Sequence, residues 1–396
     1  MLRLNAGELP VASSETARHI NRRIILNLIR NRQPISRADL ARFSGLQRST
    51  VSLIIEELIA DKWVVEGPTG RLPRGRRPTF LRLNRRRAII CIDIRPSRIT
   101  FGVGDVNGSF SSQDVIATPA DPEVAIRELI QRIRPLLKPR SEVTFEGIGI
   151  SLPGRIDAAT QQLVFAPNLK WPATDLKTRI ERETGLEVAL ENAANACALA
   201  QMWFGEMDDV RNLVAITVSE GIGTGIITDG HLYRSGTGMA GEFGHVPLDT
   251  DGPVCSCGNR GCWEVLASNR AALRYYGEAG KPAKGPARKR MEFQDLLALV
   301  EQNDARAIQA IDEMAAQLAR GVRMIVAGLA PEMILFIGEF TAAWDRFQPR
   351  LEREAKEQTI SATPVRLVPG QEGAMARLRG TVALVLHKHF GISLPA

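Results

Sequence analysis

The chain has 396 residues, 44% hydrophobic and 24% charged, a balance that fits globular domains and excludes disordered or fibrous classes. No run approaches the roughly 18 apolar residues of a membrane span, the best stretch (324–338) being broken by Pro331 and Glu332, and the N-terminus lacks the apolar core of a secretion signal. The net charge of +7 is uneven, with 18 Lys+Arg against 7 Asp+Glu in residues 1–87 and 33 against 37 in the rest, so nucleic-acid contact is expected from a basic head on a mildly acidic body.

Residues 1–16 show no periodicity. From Ala17 the spacing of Ile20, Ile24 and Leu28, with Ile25 and Ile29 alongside, predicts a helix that Pro34 ends. Ser36-Arg-Ala-Asp39 resembles a capping box and opens a second short helix, which Gly45 closes. A third helix is expected from about Gln47 to Ala60, burying Val51, Ile54, Ile55 and Leu58. Two helices joined by Ser44-Gly45-Leu46 make a helix-turn-helix, which puts Gln47, Arg48, Ser49, Thr50 and Ser52 where a recognition helix meets base edges and phosphates. Two short strands, 63–65 and 79–83, then flank a Gly/Pro/Arg loop carrying Arg71, Arg74, Arg76 and Arg77. This reads as a wing, because mobile arginines suit the negative potential of a narrow minor groove. Double-stranded DNA is the expected partner of residues 17–87.

The body opens with three strands, 88–94, 99–106 and 111–117, and an amphipathic helix over 122–137. Buried strands at 147–151 and 188–191 lead to Pro153-Gly154-Arg155 and to Asn192. A similar opening recurs at 213–218, 225–228 and 231–233, and helices are expected near 291–301, 305–327 and 374–389. Two halves of like order predict two lobes with a ligand cleft between them.

Residues 242–264 hold His245, Cys255, Cys257 and Cys262, spaced His-x9-Cys-x-Cys-x4-Cys. One imidazole and three thiolates close a tetrahedral structural zinc site, with no open position for catalysis. One Zn2+ per chain is expected, and cysteines so few and so grouped fit a reducing cytoplasm better than a disulfide framework. Glu242 and Glu264 flank the knuckle. Ionised carboxylates beside a neutral imidazole suit the vicinal hydroxyls of a sugar.

Glu-x-Gly-His followed by Cys-x-Cys-Gly-x-x-Gly-Cys-x-Glu resembles the signature of the ROK family of sugar kinases and sugar-responsive repressors, and Gly-Arg-Arg-Pro-Thr at 75–79 is similar to its repressors. The resemblance implies an α/β chain, with a winged helix-turn-helix (17–87) followed by a two-lobed, actin-like ATPase (ribonuclease H-like) body (88–396) carrying the zinc loop. Lobe one would take about 88–205 plus 374–396, and lobe two about 206–373. It also implies sugar contacts at Gly154, Arg155, Asn192, Glu242, His245 and Glu264, with Asn168 a weaker candidate.

The departures from the kinase pattern are specific. The family's general base is an Asp after the Asn, whereas Ala193 stands here and cannot take a proton. The phosphate loop Asp-x-Gly-Gly-Thr becomes Asp93-Ile-Arg-Pro-Ser97, with a bulky side chain and a residue lacking an N–H. A Gly-Gly pair near the nucleotide base becomes Gly338-Glu339; the glycines of Gly221-Ile-Gly-Thr-Gly225 remain. The sequence therefore reads as a transcriptional repressor of carbohydrate genes and not as an enzyme. Its degenerate cleft would bind a sugar or sugar derivative, and it would meet a palindromic operator as a homodimer or dimer of dimers, with no membrane partner. The rival readings are a sugar kinase with a fused DNA-binding head and a repressor whose signal is a protein.

Overall fold

The structure, a computed structural model, describes residues 14–69, 78–138, 143–157, 160–166, 168–205, 210–235, 238–278, 291–357, 365–370 and 375–391. The head comprises α1 (Ser14–Arg32), β1 (Ile35–Ser36), α2 (Arg37–Ser44), α3 (Arg48–Ala60), β2 (Val64–Thr69) and β3 (Thr79–Leu83). Helix α1 starts at Ser14, before the apolar pattern does. Arg18 and Arg22 pair with Glu57 and Asp61 near the end of α3, an ionic support that apolar periodicity cannot reveal. Ser36 Oγ accepts the Asp39 N–H at 3.2 Å, as a cap should. The return half of the box differs, since the Asp39 carboxylate accepts the Ser36 hydroxyl at 2.7 Å and Arg42 at 2.7 Å. Val51, Ile54, Ile55 and Leu58 of α3 are buried as their spacing requires. The strands form an antiparallel sheet in the order β1-β3-β2. The wing arginines Arg71, Arg74, Arg76 and Arg77 lie outside the described residues.

The body opens with β4 (Arg87–Ile94), β5 (Arg98–Asp105), β6 (Phe110–Ala117), α4 (Pro122–Ile133), β7 (Thr144–Leu152), β8 (Arg155–Ile156), β9 (Leu163–Phe165), α5 (Leu176–Thr184), β10 (Val188–Asn192) and α6 (Ala193–Phe204). Its sheet runs β10-β7-β4-β5-β6, with β4, β5 and β6 antiparallel and β7 and β10 parallel to β4. Covered on both faces, β4 is an almost unbroken apolar run ending in Asp93.

The second half follows the same plan: β11 (Leu213–Val218), β12 (Ile222–Thr228), β13 (His231–Leu232), a 3-10 turn (Glu242–His245), α7 (Trp263–Ala267), α8 (Asn269–Glu278), α9 (Phe293–Glu301), α10 (Ala305–Leu329), β14 (Met333–Ile337), a further 3-10 segment (Glu339–Ala343), α11 (Trp344–Glu357), β15 (Arg366–Pro369) and α12 (Ala376–Phe390). Its sheet runs β13-β12-β11-β14-β15, again a meander extended by two parallel strands. The apolar stretch 324–338 is the end of α10 plus β14, and no helix among the described residues is long and apolar enough to cross a membrane.

Two helices locate the cleft. Helix α6 packs against β11 and β12 of the second sheet while following directly from β10 of the first. Helix α12 returns to the first half and packs on α6, β4 and β7. Its far end continues into the head, so that Leu26, Trp63 and Leu81 share one apolar cluster with Trp203, Val382, Leu386 and Phe390.

Candidate functional site

Between the two sheets lies a cavity of about 650 Å³, and Gly154, Arg155, Asn192, Glu242, His245 and Glu264 all line it. Arg155 comes from β8, in a hairpin whose turn needs Gly154 at φ +131, a conformation closed to side chains and pressed against the Phe165 carbonyl. Asn192 caps α6: its Oδ1 accepts the Ala194 N–H at 2.8 Å, while its Nδ2 donates to Gly154 O at 2.9 Å. The side chain thus ties the hairpin to the helix and keeps one amide hydrogen for a ligand.

The 3-10 turn carries Glu242 and His245, with His245 Nε2 3.8 Å from Glu242 Oε2. Glu264 opens α7, a segment fixed by the buried Trp263, whose indole N–H donates to Gln317 O at 3.0 Å. Glu264 Oε2 accepts the Ile222 N–H at 3.1 Å. Glycine at 221 leaves room for this approach, since a Cβ there would displace that carboxylate oxygen. Burial pushes both the Glu242 and Glu264 carboxyls above their ordinary range, partly offset by the nearby His245. Asn168 lines the same cavity beside Gly221.

Behind His245, its Nδ1 lies 3.5 Å from Cys255 Sγ, and Cys257 Sγ lies 3.6 Å from Cys262 Sγ. All four donor atoms fall within 4.8 Å of one another. A tetrahedron with metal–sulfur bonds of about 2.3 Å has S···S edges of roughly 3.8 Å, so the cluster can hold a metal ion with small adjustments.

The cavity is also lined by Glu191, Glu220, Arg234 and Arg377, and a buried ion pair precedes Pro96 of its lining. Arg95 Nε donates to Asp93 Oδ2 at 2.7 Å, Ser151 Oγ donates to Asp93 Oδ1 at 3.1 Å, and both members of the ion pair are buried. Pro96 and Ala193 line the cavity next to them. Arg377, at the start of α12, is buried with no hydrogen-bond partner for its Nε. Burial opposes its charge, and the carboxylates of Asp93, Glu220 and Glu339 more than offset this, holding its pKa above the ordinary value. Glu191 of β10 joins the halves: it accepts Arg234 Nε at 2.8 Å from beyond β13, and Asn195 Nδ2 at 2.9 Å.

The ROK family model matches residues 89–388, and a winged helix-turn-helix DNA-binding model matches residues 18–65. The chain belongs to the ROK family. It is 31% identical over 388 residues to the xylose repressor of Bacillus subtilis (strain 168), a match covering 96% of this chain and 98% of the relative. The crystal structure of a ROK family transcriptional regulator, a homologue of the E. coli MLC protein, superposes with a TM-score of 0.80 at 25% identity, covering 94% of this chain and 98% of that one. A ROK glucokinase from Streptomyces griseus, in complex with glucose and AMPPNP, superposes with a TM-score of 0.66 at 28% identity, covering 75% of this chain and 98% of the kinase.

The helix-turn-helix presents an exposed face. Gln47, Arg48 and Ser49 at the start of α3 are exposed, and Thr50 and Ser52 half-buried. Phe43 and Leu53, 44% and 61% exposed, extend this face, a feature polar-residue reasoning passed over. Arg32 sits 4.2 Å from the Phe43 ring centre and keeps a cation on it.

Sequence reasoning also missed Arg377 and Arg234. Neither sits in a motif, and only the return of α12 and the turn after β13 bring them to the cleft. Glu191 was legible as the residue before Asn192, but its bond across the cleft was not.

Proposed function

We propose that this ROK protein is a sugar-responsive transcriptional repressor whose winged head binds operator DNA and whose cleft binds a sugar or sugar derivative. The observation that carries this reading is the convergence of the six sugar-type residues on one cavity in a chain with a DNA-binding head. The resemblance to xylose repressors over nearly the whole length supports it. Carboxylates at Glu242 and Glu264 accept hydroxyl hydrogens, Arg155 and the remaining Asn192 amide hydrogen donate, and His245 keeps Nε2 for the ligand.

Zinc is the metal the donor set fits. His245, Cys255, Cys257 and Cys262 would hold it in a closed structural role, and loss of Cys257 would loosen the loop that positions Glu242 and Glu264. Metal analysis of protein purified without chelators should return about one zinc per chain.

The cleft is read as non-catalytic. Ala193 offers no base, and the Asp93–Arg95 pair with Pro96 stands where a nucleotide phosphate would need open backbone amides. Two heads per assembly are proposed, because one winged module offers too little contact for useful specificity and a dimer reads a palindrome. Helix α12 gives the two sites a common part, with Arg377 at the cleft and Phe390 beneath the head. A sugar that prefers one lobe arrangement would shift the head through it.

The test is fluorescence anisotropy of the full chain on a duplex selected from a random pool, with sugars titrated in, beside a coupled assay for ATP consumption. The expected result is a sugar-dependent change in operator affinity with no ATP consumed, and affinity that falls steeply with salt. Sugar-dependent ADP release would replace this reading with a kinase. Indifference to every sugar, with operator binding intact, would point to a protein signal.

A further inference from the structure

The cavity is polar at its floor and apolar at its mouth. Phe165 and Met239 both line it, yet remain 52% and 50% exposed, one from β9 of the first half and the other from the segment before the 3-10 turn of the second. Scattered exposed apolar side chains need no explanation. Here two of them, one from each half, line the same cavity as residues suited to hydroxyls.

Phe165 is held in place by the strand ladder. It is the cross-strand partner of Arg155 in the β8–β9 hairpin, and an Ala166–Trp171 bridge closes the chain behind it. Cross-strand partners in an antiparallel pair project to the same face, and both residues line the cavity. Arg155 belongs to the floor; Phe165 is its neighbour toward solvent. The volume, about 650 Å³, lies in the range that takes drug-sized ligands, more than a single monosaccharide fills.

A pyranose ring has a polar edge of hydroxyls and an apolar face of C–H bonds, and that face packs on aromatic rings. We infer that the cleft takes a disaccharide, with one ring bound by the polar floor and the second stacked on Phe165 and bounded by Met239. This rests on the sugar reading of the cleft and adds the size of the ligand to it.

The experiment is isothermal calorimetry on the full chain with D-xylose, xylobiose, D-glucose and cellobiose, repeated with Phe165→Ala and Phe165→Trp. In the unmodified chain, at least one disaccharide should bind tenfold or more tighter than its own monosaccharide. Phe165→Ala should erase most of that difference, and Phe165→Trp should retain it. Thermal melting of each variant establishes that it is folded, as expected for a half-exposed side chain. Equal affinities for mono- and disaccharide in the unmodified chain would overturn the inference and leave the sugar reading standing. So would equal loss of both ligands in Phe165→Ala. Binding of none of the four sugars would overturn this inference, while the sugar reading of the cleft would stand or fall on the wider sugar titration against operator DNA.

Discussion

At the cleft, carboxylates, amides and an imidazole from both sheets face an open cavity with hydrogen-bonding capacity to spare. At the seam between head and body the opposite holds. Trp63 packs at 4.5 Å between ring centres on His389 and at 5.7 Å on Phe390, Trp203 meets Phe390 at 5.4 Å, and Arg30 covers Trp203 at 4.1 Å. Several polar groups along the seam have fixed partners: Asn27 Nδ2 donates to Phe390 O at 2.7 Å, and Gln33 joins Asn107 and the Leu83 N–H, while the buried His389 Nε2 has no hydrogen-bond partner among the described residues. A region finished from within transmits motion as a unit, whereas one left incomplete waits for a ligand to complete it. Helix α12 belongs to both, with a buried arginine at one end and an aromatic at the other.

The largest break in this contrast should come from the seam. Phe390 is 2% exposed, and truncating a buried Phe to Ala costs about 3–5 kcal/mol. Phe390→Ala should lower the melting temperature and abolish the effect of sugar on operator affinity, while calorimetry still detects sugar in the cleft. Phe390→Leu should restore much of both. Retention of full coupling in a folded Phe390→Ala chain would show that the seam does not carry the signal.

A change at the cleft should do the reverse. Glu264→Gln keeps an oxygen for the Ile222 N–H but turns a charged acceptor into a partial donor. Hydrogen bonds to charged groups are worth about 1.5–3 kcal/mol, so sugar affinity should fall roughly 10- to 150-fold. Operator affinity without sugar and the melting temperature should barely move. A loss of operator binding in this variant would mean that cleft and seam are not separable.

The two regions also differ in how far the sequence disclosed them. Within Glu242 to Glu264 the spacing of His245 and the cysteines implied convergence, whereas Gly154, Arg155 and Asn192 were reached only through the family resemblance, and the structure brings all of them to one cavity. The winged head was readable too, since Val51, Ile54, Ile55 and Leu58 mark one face of α3 and Gly45 closes α2 before it. The seam left no such trace. Trp63 and Phe390 are far apart in the chain, and α12 shows no clean apolar stripe because it packs on α6, β4 and β7 as well as on the head. Helix α6 escaped notice for a related reason. Its alanines, buried between the halves, show no amphipathic stripe to count.

A finer cut at the seam removes one hydrogen bond and leaves the rings. Asn27→Ala deletes the donor to Phe390 O, a loss of about 0.5–1.5 kcal/mol. Chemical denaturation should register that amount, with operator response to sugar weakened but present. If stability is unchanged, the bond is replaced by water and the seam is wetter than its packing implies.

The smallest effect should be one of pH, and it also distinguishes the two regions. His389 lies against Trp63, and its pKa is lowered to about 4 by burial first and then by Lys388, Arg87 and Arg22, with Glu187 opposing. Glu146, 3.5 Å from its Nε2, is already engaged by Arg87. Since the folded pKa is below the unfolded value of 6.5, the unfolded chain takes up the proton first as pH falls. The contribution of a neutral His389 is therefore full above the unfolded pKa and drains away between there and about 4. From pH 7.5 to 6 the expected loss is about 0.5–1 kcal/mol, read as the difference in denaturation midpoint slopes between the unmodified chain and His389→Gln. The substitution should flatten the pH dependence of the seam and leave sugar affinity at pH 7.5 unchanged. An identical pH slope in both chains would show that the ring takes up its proton as readily in the fold as in the unfolded chain.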